Sequence, residues 1–75
     1  MNDMTQAQMV LEHLEKHGGI TPQQALYRYG IMRLGARIWD LKRAGHRIDM
    51  EWVEGLNRYG QRTRFARYVL SDENA

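Results

Sequence analysis

Residues 21–45 read TPQQALYRYGIMRLGARIWDLKRAG, and the fold turns on how this stretch is parsed. Thr21 is an N-cap residue by type. Pro22 then occupies the first helical position, where its lack of an N–H costs nothing, and Gln24 completes a capping box. Ala25, Leu26 and Tyr29 make a short inward stripe, so a helix is expected over 22–29, closed by Gly30. A tight Gly30-Ile31 connection leads into a further helix over 33–44, whose pattern begins at Met32 and ends at Gly45. Leu34, Ile38 and Leu41 fall at i, i+4 and i+7 and define its buried face. Met32, Ala36, Trp39, Asp40 and Arg43 point broadly away from that face, with Arg33 and Arg37 on one flank. Gly35 inside this helix costs about 1 kcal/mol relative to alanine. A close backbone approach, by the preceding helix or by a phosphate, is the expected reason for it.

Working outward, Thr5 to Gln8 form a second capping box upstream. Ala7, Val10, Leu11 and Leu14 share one helical face, which predicts a helix over 5–17 stopped by Gly18-Gly19. Downstream the period changes from 3.6 to 2. Ile48, Met50 and Trp52 alternate with Arg47, Asp49 and Glu51, and Trp52 is expected between the sheet and the helices. Asn57-Arg58-Tyr59-Gly60 is turn chemistry, and Ala66, Tyr68 and Leu70 mark a returning strand with Arg67 and Val69 outward. The expected core stripe is Leu11, Leu14, Leu26, Leu34, Ile38, Leu41 and Leu70. Three helices followed by a two-stranded antiparallel hairpin is the α+β order of a winged helix-turn-helix. One domain over 1–75 is expected, frayed at 1–4 and 71–75.

The formal net charge of +2 hides a segregation. Ten of the eleven basic residues lie in two blocks. The first holds Arg28, Arg33, Arg37, Lys42, Arg43 and Arg47 against a single acid, Asp40. The second holds Arg58, Arg62, Arg64 and Arg67 with no acid at all. Two such blocks are the electrostatic footprint of a polyanion binder. In helix-turn-helix recognition the second helix of the pair enters the major groove, which here is 33–44. The wing, 56–65, is then expected on a phosphate strand or in the minor groove. The candidate double-stranded DNA contacts are Arg33, Ala36, Arg37, Asp40, Lys42 and Arg43 on the helix, with Arg58, Arg62 and Arg64 on the wing. Arginine can bond bidentately to guanine, which puts Arg33 and Arg37 forward as base readers, unless Arg37 is taken up by Asp40. Lys42 and Arg43 suit phosphate. Tyr59 reads either as a ring over the hairpin or as a wing-tip contact.

The motifs Ile20-Thr21-Pro22, Ala25-Leu26, Gly30-Ile31, Leu34, Ala36-Arg37-Ile38-Trp39-Asp40-Leu41 and Gly45 resemble a family of small helix-turn-helix domains of bacteriophages and prophages. The resemblance continues through Asn57-Arg58-Tyr59-Gly60 and Ala66-Arg67-Tyr68 and covers Thr5 to Leu70. It implies a DNA-binding phage or prophage protein in the cytoplasm of a bacterial host. The chain departs from the family pattern at Gly35, where a serine is frequent, which removes one hydroxyl able to reach a phosphate.

No enzyme is expected. There is no cysteine, no glycine-rich phosphate loop and no serine besides Ser71. His13 and His17 are spaced i, i+4, but HLEKH places its glutamate wrongly for a metalloprotease and no third ligand is evident, so two exposed histidines and no metal or other cofactor are expected. No apolar run reaches the roughly 18 residues of a membrane span, nor does the N-terminus carry a secretory h-region. Transcriptional control or an architectural role is the leading function. The competing one is a protein-interaction module that docks on a host enzyme through the same basic surface. Two tryptophans and five methionines leave apolar surface for a homodimer.

Overall fold

A computed structural model describes residues 4–71. The elements are α1 (Gln6–His17), β1 (Gly19–Ile20), α2 (Pro22–Tyr29), α3 (Leu34–Arg43), β2 (Ile48–Leu56) and β3 (Arg62–Leu70). Both capping boxes form. Thr5 Oγ1 accepts from the Gln8 amide at 3.1 Å, and Thr21 Oγ1 accepts from the Gln24 amide at 3.2 Å. The glutamine side chains return the bond to the threonine amides at 2.8 and 3.0 Å. Gly18 and Gly30 cap α1 and α2 in the left-handed conformation.

The hairpin is part of a three-stranded antiparallel sheet of order β1-β3-β2. The sequence reading had two strands. The third is only Gly19–Ile20, laid against Val69 and Tyr68. A Cβ at Gly19 would meet the Arg67 guanidinium, the movable end of a long side chain, so a larger residue there would make that arginine shift. Of the ends expected to fray, residues 1–3 and 72–75 lie outside the described residues. Ser71 is tied down, its amide donating to the Arg47 carbonyl at 2.9 Å.

Val10, Leu14, Ile20, Ala25, Ile31, Leu34, Ile38, Leu41 and Ile48 form one buried cluster, with Leu11, Tyr29, Tyr68 and Leu70 packed against it. Two expectations about the core fail for one reason. Leu26 is 52% exposed and Trp52 58% exposed. Period tells which residues share a face, not whether a second layer covers that face. α2 buries only Ala25, and the hairpin runs past the helical core after Ile48.

A third expectation fails at His13, which is buried rather than exposed. It sits at i+3 from Val10 and beside Leu14, so it falls on the apolar stripe of α1. Its Nδ1 pairs with the Tyr29 hydroxyl at 2.7 Å. Its pKa is lowered by burial first, then by the charges of His17 and Arg28, while a backbone hydrogen bond with Gly19 acts in the opposite direction. His17 is exposed as expected, with its ring 4.6 Å from that of His13. No group of three potential metal ligands occurs among the described residues.

Candidate nucleic-acid interface

α3 begins at Leu34, so Arg33 is not on the groove helix but immediately before it. Its φ of −121° and ψ of 65° are those of a non-helical N-cap, and its side chain makes no cap bond. The remaining α3 candidates keep their expected faces. Leu34, Ile38 and Leu41 are buried, which turns Ala36, Trp39, Asp40 and Arg43 outward and leaves Lys42 exposed. The guanidinium of Arg43 lies over the Trp39 ring at 4.7 Å, and Trp39 is 56% exposed. A cation held against a half-exposed indole is attracted by the ring quadrupole and is positioned without losing its charge.

Arg37 is in a different state. Its Nε stands 3.1 Å from Asp40 Oδ2, and its Nη1 donates to Gln6 Oε1 at 3.4 Å. The Nε–H has no hydrogen-bond acceptor, so the contact with Asp40 is one of charge rather than of aligned donor and acceptor. Arg37 is thus tethered to α1 and shares its charge with a neighbour. Gly35 does not touch α2: a Cβ there would meet nothing within 4 Å. The expected approach by the preceding helix is absent.

The β2–β3 hairpin carries the second basic block. Its register pairs Glu54 with Arg64 and Leu56 with Arg62. Arg64 lies over the Trp52 ring at 5.4 Å. Arg67 belongs to the frame of the sheet, since its Nη1 donates to Glu51 Oε2 at 2.7 Å. Arg33, Arg58 and Arg62 make no ion pair among the described residues.

The tip is braced by hydrogen bonds centred on Asn57. The Asn57 amide donates to the Gln61 carbonyl and the Gly60 amide to the Asn57 carbonyl, each at 2.9 Å. Asn57 Oδ1 also accepts from the Tyr59 amide at 2.9 Å and the Gln61 amide at 3.0 Å. Gly60 has φ of 77°, the left-handed position that a three-residue hairpin loop requires. Tyr59 is left 81% exposed and Leu56 66% exposed. The sequence reading did not single out Leu56. The Ile48, Met50, Trp52 alternation is broken by Glu54 before it reaches Leu56, so period alone gave no signal for it. Between α2 and the hairpin runs a groove of about 670 Å³, walled by Pro22, Tyr27, Val53 and Phe65.

A family model described as the winged helix-turn-helix domain matches residues 5–73. No curated protein and no solved structure matches the chain. Winged helix-turn-helix domains are typically DNA-binding and non-enzymatic. Both the element order and this match lead to one assignment: the chain belongs to the winged helix-turn-helix domain family.

Proposed function

We propose that the protein binds double-stranded DNA, with α3 in the major groove and the β2–β3 wing on the phosphate backbone or in the minor groove. The observation that carries this reading is where most of the cations without an ion pair among the described residues cluster. Lys42 and Arg43 stand on the solvent side of α3, Arg33 just before it, and Arg58 and Arg62 at the wing tip. These are the elements that helix-turn-helix docking turns toward DNA. Ala36 supplies close approach and a methyl for thymine contact. Asp40 orients Arg37, and Arg64 is carried by Trp52. The whole span 1–75 acts as one domain, and it is a regulator or architectural factor of a phage or prophage, working in the host cytoplasm. No helix among the described residues is long and apolar enough to cross a membrane.

Selection of bound sequences from a random duplex library, followed by fluorescence anisotropy on the selected and a scrambled duplex, tests the reading. Enrichment of a motif with tighter binding than the scrambled control is expected. No binding to any duplex would remove it. The competing reading, docking on a host protein through the same basic surface, has a further apolar contact available in the groove beside Tyr27 and Phe65.

A further inference from the structure

We infer that the wing tip is a wedge that enters the minor groove and opens a base step, with the Tyr59 ring as its leading edge and Leu56 behind it. This rests on the duplex-binding reading above and assigns the wing a more specific task than contact with phosphate. Four observations converge on it. Tyr59 is among the most exposed large apolar side chains described, at 81%, and Leu56 stands at 66%. Neither packs against the core cluster. The backbone that presents them is clamped by Asn57 through the bonds to Tyr59, Gly60 and Gln61, so little ordering remains to be done on binding.

Charge is the fourth observation, and it selects the occupant. From Gly55 to Ser71 the chain has no acid, while Arg58 adjoins Tyr59 and Arg62 lies opposite Leu56 across the ladder. A protein partner with an apolar pocket would accept the ring but gives no reason for arginines on both sides. The minor groove explains both features. Its negative potential draws arginine, and an apolar side chain carried in with the arginine unstacks one step and kinks the duplex. The register supports the geometry: Leu56 closes β2 opposite Arg62, which opens β3, so only the three residues Arg58, Tyr59 and Gly60 stand between Asn57 and Gln61 at the tip. The full two-stranded ribbon is too broad for a minor groove about 6 Å wide, so only the side chains of this narrow loop enter it.

The test uses the full chain and the duplex recovered by selection. Each adenine is replaced in turn by 2-aminopurine, and the ends carry a fluorescence energy-transfer pair. Wild-type protein is expected to brighten 2-aminopurine at one step and to raise energy transfer through bending. Tyr59→Phe should keep both signals, because the ring and not the hydroxyl does the unstacking. Tyr59→Ala should lose both and bind about tenfold more weakly, with its salt slope unchanged. Circular dichroism confirms that each variant is folded. Wild-type binding without brightening or bending overturns the wedge and leaves duplex binding intact, as does a Tyr59→Ala variant that behaves like wild type. Failure of the wild type to bind any duplex overturns both.

Discussion

His13 is an ionisable residue on an apolar stripe, and its burial couples stability to pH. Its folded-state pKa lies below the ordinary 6.5, so the unfolded chain takes up the proton first as pH falls. The contribution of the neutral, Tyr29-bonded imidazole is therefore complete above the ordinary histidine value. It is lost progressively below that value and stops changing only beneath the lowered one. Urea midpoints for wild type should fall as pH is taken down through 6 to 5, and His13→Phe should flatten that slope. An identical slope in the variant would assign the pH response to other groups. Gly35 supports a second residue-level expectation. Its φ is not positive, and nothing occupies the space of its Cβ. Gly35→Ala should raise folding stability by about 0.5–1 kcal/mol, measured by chemical denaturation. If a phosphate uses the open side of α3, the same variant binds duplex more weakly.

Among the elements, α2 depends most on its ends. It has eight residues and buries only Ala25 fully, so side-chain packing alone does not hold it. Thr21→Ala removes the oxygen that accepts from the Gln24 amide and should cost about 1 kcal/mol in thermal unfolding, restored by Thr21→Ser. No change on removing the hydroxyl would mean that Pro22 and the core contacts suffice. The same local chemistry explains what could be read before any coordinates. Caps, helical spacing and the Asn57–Gly60 turn are encoded within a few residues of one another, and those elements appear within a residue of the expected bounds, a margin that nonetheless leaves Arg33 off α3. β1 was not legible because Gly19 and Ile20 become a strand only through Val69 and Tyr68, at the far end of the chain. Burial of Trp52 was misjudged because alternation continues along β2 after the helical core has ended. Of the candidate site, the outward face of α3 and the basic turn were legible from period and charge. The diversion of Arg67 to Glu51 was not, since it is set by strand register.

At the scale of the whole molecule, the wing makes the protein longer than its core. Nine-residue strands reach about 30 Å, and the molecule spans 38 × 33 × 20 Å. Cations are thereby spread over two separate elements rather than gathered in one patch. Arg37 and Arg67 are engaged by Asp40 and Glu51, so on α3, its N-cap and the wing the cations left for phosphate or base are Arg33, Lys42, Arg43, Arg58, Arg62 and Arg64. If roughly four to six phosphates are neutralised, log K should fall against log salt with a slope of about −4 to −5. Two substitutions of equal charge then separate the elements. Arg33→Ala removes a cation at the N-terminal end of α3, the candidate base reader left without an ion pair among the described residues, and should cost about 1–3 kcal/mol on the selected duplex, with less on a scrambled one. Arg62→Ala, at the wing, should weaken both duplexes alike and reduce the salt slope by about one. A featureless basic surface predicts equal effects from the two. Anisotropy titrations at several salt concentrations read the difference directly. If both variants bind both duplexes as tightly as wild type, the basic surface is not a DNA site. The competing reading, docking on a host protein through that surface, would then take its place as the proposal to test.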